Sequence, residues 1–197
     1  KADDELASLE VDNELASLKA DDELASLEAD VEADDDSKII VEPSYYDEAK
    51  MKGKEGDFLW EIKKGHSPNT LYIFNDNDND HYKRNGGLGN GAIRIFNREA
   101  RKRPSSAGIS TGKDGAGFKV LDDEVKRIIH RDILEILDIL STGNYNKVKY
   151  SKKSPESDTL GTGTFKVGED VLEYITELIN MLPDLVKHTP SSVRKDI

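Results

Sequence analysis

The sequence LYIFNDN at residues 71–77 decides how this chain folds. Its first four residues are apolar, and such a short run followed by Asn and Asp is typical of a strand that is buried on both faces, as in a parallel sheet. The Asn-, Asp- and Gly-rich sequence that continues to Gly91 predicts a long polar loop. The chain is therefore expected to contain a buried strand with a polar loop at its carboxyl end.

Other short apolar runs predict the remaining strands of the same sheet. We expect strands from Ser37 to Glu42, closed by Pro43, and over residues 107–110 and 147–150; residues 92–96 are apolar enough to re-enter the core, and residues 44–66 fit either a strand or a short helix.

Two segments have the periodicity of amphipathic helices. Apolar residues recur at three- and four-residue steps from about Asp122 to Ser141 and again from about Glu169 to Leu182. Gly143 follows the first helix, and Pro183 is expected to end the second. Strands that alternate with helices predict an α/β fold, here a mostly parallel sheet covered by helices.

Residues 1–36 differ in character from the rest of the chain. They contain a nine-residue unit three times, as ADDELASLE from Ala2, VDNELASLK from Val11 and ADDELASLE from Ala20. This spacing turns successive leucine pairs to opposite faces of a helix, so it cannot form the seam of a coiled coil. We expect a flexible acidic arm over residues 1–36, a single α/β domain over 37–185 and a polar tail over 186–197.

The net charge of −12 belongs to the arm. Residues 1–36 hold 15 acidic residues and two lysines, a net charge of −13, which leaves +1 for residues 37–197. A nearly neutral domain disfavours nucleic acid as a partner, although the chain has a short basic run over residues 98–103.

The sequence lacks two features, cysteine and a long apolar run, and each lack excludes some kinds of site or partner. The chain has no cysteine, which excludes a thiolate metal site and a cysteine nucleophile. No apolar run approaches the roughly 20 residues that cross a bilayer, so no membrane partner is expected.

Polar or glycine-rich segments follow three of the predicted strands. Carboxyl ends of parallel strands share one edge of the sheet, where α/β proteins bind their ligands. Glycine N–H groups can gather into a phosphate-binding nest, to which arginine or lysine adds charge. We therefore expect one pocket for a phosphate-bearing, nucleotide-like small molecule. Its candidate ligand-binding residues are Asn77, Gly86, Gly87, Gly89, Gly91, Arg94, Thr111, Lys113, Thr162 and Gly163.

The catalytic candidates are Asp76, Asp78 and His81, which lie together just after the buried strand. The alternating acids do not make an EF-hand, because His81 stands where that loop needs Gly and Gly87 stands where it needs Glu. A hydrated Mg²⁺ held by Asp76 or Asp78 stays open as an alternative to a solvated turn. No metal site built from protein ligands is assigned.

Three motifs in this region resemble those of a group of small uncharacterised proteins that are common in phages. The group carries an F-G-D-N turn, a G-x-G-G-x-A-x-I-R stretch and a G-I-x-T-K stretch, which correspond here to residues 74–77, 86–94 and 108–113. Asn75 replaces the Gly of the first motif, and Gly112 is inserted before Lys113 in the third. The resemblance covers roughly residues 70–182 and implies a phage origin, with no activity to carry over.

The arm carries a second resemblance. Its Ser-Leu-Glu sequences, which end at Glu10 and Glu28, resemble the small-x-Glu sites that head-maturation proteases of large tailed phages cleave. This implies that a phage maturation protease or a capsid is a partner. Two functions stay open: a phage-derived protein that binds, cleaves or sequesters a phosphate ligand, and a virion internal or structural protein without catalytic activity. The corresponding locations are the host cytoplasm and the virion interior.

Overall fold

The structure is a computed structural model that describes residues 39–163 and 165–188. The arm over residues 1–36, its processing positions Glu10 and Glu28, and residues 189–197 of the expected tail lie outside the described residues.

In the described residues, one six-stranded sheet forms the centre, with four helices around it. In chain order the elements are β1 (Ile40–Tyr45), α1 (Glu48–Met51), α2 (Phe58–Lys64), β2 (Thr70–Asn77), two 3₁₀ helices (Asp78–Asp80 and Gly89–Phe96), β3 (Ser106–Lys113), β4 (Ala116–Gly117), α3 (Asp123–Ser141), β5 (Lys147–Ser154), β6 (Ser157–Leu160) and α4 (Glu169–His188). The strand order is β1-β5-β2-β3-β4, with β6 paired to β5. The first four strands in this order run parallel, and β4 and β6 are antiparallel to their neighbours. The α/β fold with a mostly parallel sheet is confirmed.

The quoted strand is buried on both faces, as its unbroken apolar run predicts. Leu71 and Ile73 belong to the larger apolar cluster, which α3 and α4 complete. Tyr72 and Phe74 belong to a smaller cluster on the opposite face, with Phe58 of α2 and Ile93 of the second 3₁₀ helix. Each side chain of the run is 0–1% exposed, so β2 anchors both layers of the domain.

Of residues 44–66, which fit either a strand or a helix, the first two end β1, and α1 and α2 lie within the rest. Asp57 caps α2 by accepting a hydrogen bond from Leu59 N at 2.9 Å. Gly65 ends α2 in the left-handed conformation, with φ of 68°. The segment 92–96 returns to the core as expected, within a 3₁₀ helix.

Two predicted element ends are wrong, and both involve proline. Strand β1 does not close at Pro43 but continues to Tyr45. Among the described residues it is paired only with β5, and a residue without an N–H is tolerated on such an edge strand. Helix α4 does not stop at Pro183 but continues to His188. Leu182 and Leu185, on either side of the proline, are 0% exposed, and their burial holds the last turns although one helical hydrogen bond is lost.

Two strands are longer than predicted. Strand β3 extends through Lys113, so residues 111–113 lie in the strand where a loop was expected, and its end pairs with β4. Strand β5 continues to Ser154 and turns back as β6, a hairpin that the lysine-rich sequence did not indicate.

Strand β3 is paired along its whole length on only one of its two sides. Strand β2 lies along one side of β3, whereas on the other side β4 pairs only with Gly112 and Lys113. Among the described residues, the outer side of β3 from Ser106 to Ser110 therefore has no strand beside it. Side chains from neighbouring elements cover this side.

Candidate functional site

A buried ion pair joins the end of β2 to the glycine-rich segment. Arg94 donates from Nη2 to Asp76 Oδ1, and its Nε lies 3.4 Å from Asp76 Oδ2. The arginine side chain is 5% exposed and the aspartate side chain 0%. Arg94 Nη1 also lies 3.4 Å from the carbonyl oxygen of Asn85. One face of the guanidinium is thus used by a carboxylate inside the protein.

Glycines from two other segments leave room for this ion pair. A Cβ atom on Gly108 would lie 2.6 Å from Asp76 Oδ2, and one on Gly87 would lie 3.1 Å from Arg94 Nη1. A Cβ atom on Gly91 would lie 3.5 Å from Arg94 Nη2. The three motif segments that the sequence singled out therefore meet at the ion pair between Asp76 and Arg94.

Several groups that were expected to bind phosphate are engaged in contacts within the protein. Gly87 N–H donates to the Gly91 carbonyl at 2.8 Å, and Gly91 N–H donates to the Leu88 carbonyl at 3.1 Å. Because Arg94 is paired with Asp76, it is not a free cation. The predicted phosphate nest at Gly87, Gly91 and Arg94 has no support in this conformation.

The remaining ligand-binding candidates differ in their exposure and in the contacts they make. Asn77 accepts a hydrogen bond from Asn79 N at 3.2 Å and so caps the first 3₁₀ helix. Gly86 and Gly89 are exposed, and Gly89 has φ of 55°. Thr111 is buried, with Oγ1 3.5 Å from the Asp76 carbonyl oxygen.

The loop after β6 lies at the same end of the sheet as the end of β2, because Asn75 Nδ2 donates to the Gly161 carbonyl. Within that loop, Thr162 donates to the Phe165 carbonyl at 2.8 Å, and Gly163 is exposed with φ of 63°. The loops gather at one edge, as expected, but Thr162 satisfies its hydroxyl within its own loop.

Lys113 differs from Arg94 in being accessible. Its side chain is 42% exposed, and its Nζ lies 3.6 Å from Glu124 Oε1 and 3.9 Å from Asp78 Oδ2, both beyond hydrogen-bond distance. The lysine stands on the rim of an open groove of about 330 Å³ at the carboxyl end of β3. The groove is lined by Lys113, Ala116, Gly117, Phe118, Lys119, Val120, Asp122 and Val125.

A second polar cluster covers the outer side of β3. His81 Nε2 lies 3.0 Å from Glu135 Oε2 and 3.5 Å from Asp132 Oδ1. Asp132 also accepts from Ser110 N at 2.6 Å and from both Nε and Nη2 of Arg131. His81, Asp132 and Glu135 line a cavity of about 20 Å³, which has room for one water molecule.

The charges of this cluster shift one another's pKa values. Burial alone would lower the pKa of His81, but the hydrogen bond with Glu135 and the Asp132 carboxylate raise it. Complete burial raises the pKa of Asp132 against the opposing effect of His81 and Arg131. Glu135 is desolvated too, yet its contacts with His81 lower its pKa. The pKa values of the two carboxyl groups that contact His81 are thus shifted in opposite directions, which is a common feature of acid–base sites.

The candidate acids for Mg²⁺ are both paired with arginine. Asp76 accepts from Arg94, and Asp78 Oδ1 lies 2.9 Å from Arg131 Nη1. Across residues 39–163 and 165–188, no group of three or more His, Asp or Glu side chains is arranged to hold a metal ion.

Three residues of this cluster were not predicted from the sequence: Arg131, Asp132 and Glu135. One feature could have indicated them: Asp132 interrupts the apolar face of α3 between Ile129 and Ile133, and it is completely buried. A carboxylate on the buried face of a helix needs partners, and it is therefore a candidate for a polar site.

Comparison with family models, with curated proteins and with solved structures gave no match to this chain.

In the part of the chain that the structure describes, none of the helices is both long and apolar enough to cross a membrane.

Proposed function

We propose that the domain binds a phosphate-bearing small molecule in the groove at the carboxyl end of β3, with Lys113 as the charged contact. One observation carries the proposal: the Lys113 ammonium is partly exposed on the rim of a groove of about 330 Å³ and has no carboxylate within hydrogen-bond distance among the described residues. Its three N–H donors are available to an incoming anion.

The lining of the groove suits an amphipathic ligand. Phe118, Val120 and Val125 offer apolar surface, and Val120 is 63% exposed. Asp122 and the neighbouring Glu124 place carboxylates beside the lysine, where they can accept hydrogen bonds from ligand hydroxyl groups. The volume lies at the small end of the range of about 300–1,000 Å³ for small-molecule sites. A nucleoside monophosphate, which carries an aromatic base whose faces can pack on apolar side chains, hydroxyl groups and one phosphate, fits this description.

Calorimetric titration of the full chain with adenosine monophosphate and with inorganic phosphate tests the proposal. Lys113→Ala should weaken binding of the nucleotide about tenfold or more, because hydrogen bonds to charged groups contribute about 1.5–3 kcal/mol. Lys64→Ala removes the same charge from an exposed position on α2, outside the groove, and should leave the affinity unchanged.

Equal affinity of the Lys113→Ala variant and the parent chain would contradict the proposal, as would no measurable binding of either probe. Binding of inorganic phosphate alone would support Lys113 as an anion contact but would overturn the nucleotide-like ligand.

A second candidate function is that of a phage virion protein. It is favoured by the nine-residue unit of the arm, whose Ser-Leu-Glu sequences end at Glu10 and Glu28. In this proposal a phage maturation protease cleaves the arm, and the remaining chain is located in the virion interior. In the first proposal the protein acts in the host cytoplasm. Intact mass spectrometry of the protein from its native source separates the two, because cleavage after Glu10 or Glu28 is expected only for the virion protein.

A further inference from the structure

Three cations of the basic run before β3 have no carboxylate partner within the described structure. Arg101, Lys102 and Arg103 are all exposed, and none of them forms an ion pair with another residue that the structure describes. The fourth cation of the run, Arg98, differs because it lies 3.2 Å from Asp138 Oδ2. The first three residues, called the basic face below, therefore offer positive charge to a partner.

The basic face lies at the amino end of the sheet, where the chain enters β1. Arg103 Nη2 lies 3.0 Å from Asn69 Oδ1 and 3.4 Å from the Asn144 carbonyl oxygen. These asparagines come shortly before β2 and β5, and both strands begin level with β1. In the sheet β5 is next to β1 and β2 follows, so at about 4.8 Å per strand their starts lie about 5 and 10 Å from the start of β1.

The loops at this end of the sheet carry little negative charge. The loops before β2 and β5, residues 65–69 and 142–146, contain neither Asp nor Glu, and Glu99 is the only acid within residues 98–105. An anion that approaches the basic face therefore meets positive charge without strong competition from carboxylates of these loops.

The acidic arm joins the domain at the same end of the sheet. The last three acids of the arm, Asp34, Asp35 and Asp36, are four to six residues before Ile40, where β1 begins. An extended chain spans at most about 3.6 Å per residue, so the Cα atoms of these acids lie within about 14 to 22 Å of the start of β1. The basic face is within that reach.

We infer that the basic face is the docking surface of the acidic arm of the same chain, with Asp34, Asp35 and Asp36 as the main contacts. Opposite charges attract the two segments, and the short connection to β1 keeps the local concentration of these carboxylates high. The contact is one of charge, because the nine-residue spacing gives the arm no continuous apolar side that could pack.

This inference does not depend on either proposed function. The groove at Lys113 lies at the carboxyl end of β3, the opposite end of the strand from the basic face. Cleavage of the arm after Glu28 would leave residues 34–36 attached to the domain.

The docked arm also determines whether the domain meets nucleic acid. Clusters of arginine and lysine bind the phosphates of DNA and RNA. An arm that covers the basic face competes with those phosphates, so the full chain should bind nucleic acid only weakly although the domain has a basic run.

Paramagnetic relaxation enhancement in the full chain tests the docking. The chain has no cysteine, so Ala33→Cys provides a single site for a nitroxide label beside Asp34. We expect the label to broaden the amide signals of residues 144–146 much more than those of residues 114–117 at the carboxyl end of β3. Sodium chloride at about 1 M, where the screening length is about 3 Å, should reduce the broadening of residues 144–146.

Neutralising the basic face should release the arm. In the labelled chain, Arg101→Gln with Lys102→Gln and Arg103→Gln should lower the enhancement at residues 144–146 at least about threefold, because three exposed ion pairs add together although each is weak. The connection between the arm and β1 is unchanged in this variant, so proximity along the chain does not account for such a loss.

The matched control removes the same charge from three exposed lysines that follow the carboxyl end of β1. In this control, Lys50→Gln with Lys52→Gln and Lys54→Gln, the enhancement should equal that of the parent chain. Equal enhancement in the parent chain and the basic-face variant would overturn the inference, as would an enhancement that salt does not change.

Fluorescence anisotropy of a labelled oligothymidylate separates the arm from nucleic acid as the occupant of the face. Asp34→Asn with Asp35→Asn and Asp36→Asn should raise the affinity of the full chain for this probe at least about threefold, because the variant uncovers the basic face. The control variant neutralises three acids far from β1 and should raise the affinity less: Asp3→Asn with Asp4→Asn and Glu5→Gln.

One outcome would assign the face to nucleic acid and overturn docking of the arm: the parent chain binds the probe, the basic-face variant does not, and neutralising residues 34–36 has no effect. If the basic-face variant does not fold, the same relaxation measurement on the variant neutralised at residues 34–36 decides. Its enhancement at residues 144–146 should fall at least about threefold, and an unchanged value would contradict the docking.

Discussion

The carboxyl ends of β2 and β3 each carry a residue near a cation of interest: Asp76 of β2 is paired with Arg94, and Lys113 ends β3. The surroundings of these two cations differ. Arg94 is 5% exposed and bonded to a carboxylate that is itself completely buried. Lys113 is 42% exposed, and its nearest carboxylates are 3.6 and 3.9 Å away. From the sequence, both residues were expected to contact phosphate. The difference shows that the fold commits Arg94 to a buried carboxylate but leaves Lys113 without a hydrogen bond to its two neighbouring carboxylates.

The largest expected effect comes from breaking the buried ion pair. Arg94→Ala leaves the Asp76 carboxylate without its cation in a site that excludes water, so the free energy of unfolding should fall by about 3–5 kcal/mol. Urea denaturation of the variant and the parent chain measures this loss. Arg84→Ala, at an exposed arginine of the same segment, should cost less than about 0.5 kcal/mol. A similarly small loss for Arg94→Ala would show that the ion pair does not hold the segment.

The close packing around the ion pair predicts the next largest effect. In Gly108→Ala the new methyl group would lie 2.6 Å from Asp76 Oδ2, so the strand or the carboxylate must move, at a cost of about 1–3 kcal/mol. Gly87→Ala places a methyl group 3.1 Å from Arg94 Nη1, at the end of a longer side chain, and should cost less. Thermal unfolding of both variants checks this order, and equal melting temperatures would contradict it.

The cluster around His81 predicts a pH dependence of folding. The folded-state pKa of His81 is raised, so its contribution to stability is complete below about pH 6.5 and is lost as pH rises through the folded pKa. The raised pKa of Asp132 acts in the same direction. The lowered pKa of Glu135 acts in the opposite direction, since its contribution is present above its unfolded pKa and is lost as pH falls through the folded one.

We therefore expect the free energy of unfolding to decline as pH rises above about 6.5, the ordinary pKa of histidine, and on through the raised folded-state pKa of His81. Urea denaturation at several pH values should show the decline in the parent chain and a weaker one in His81→Asn. An identical pH dependence in both proteins would assign the decline to other groups.

The smallest effect is expected for the groove. Lys113→Ala removes a partly exposed side chain and two ion pairs that are longer than a hydrogen bond, so the free energy of unfolding should change by less than about 0.5 kcal/mol. Denaturation of the unliganded variant measures this directly. A loss comparable to that of Arg94→Ala would show that Lys113 is structural, and the contrast between the two cations would disappear.

Much of the fold could be predicted from short stretches of sequence. The apolar run 71–74 indicated a doubly buried strand, and the periodicity of residues 122–141 predicted α3 to within a residue at each end. The failures occurred where tertiary contacts outweighed a local rule. Pro183 would end an isolated helix, but the burial of Leu185 continues α4 beyond it. The lysine-rich β5 extends because β1, β2 and β6 provide backbone partners.

The candidate site was predicted less completely. The three motif segments and the acids after β2 were found, and they do lie together. Their roles were not found, because the partner of Arg94 is 18 residues away and that of His81 is 54 residues away. The sequence near Arg94 and near His81 does not indicate which distant residues they contact.

The sequence by itself determined the α/β class, the positions of most strands and helices, and the separation of an acidic repeat from a nearly neutral domain. These properties follow from hydrophobic periodicity and composition, which act over short distances along the chain. The tertiary structure alone decided which cation is paired, which glycine leaves room for a carboxylate, and which histidine contacts two carboxylates. Those outcomes depend on the few ångströms that separate groups from distant elements, because hydrogen bonds and buried ion pairs form or fail over such distances.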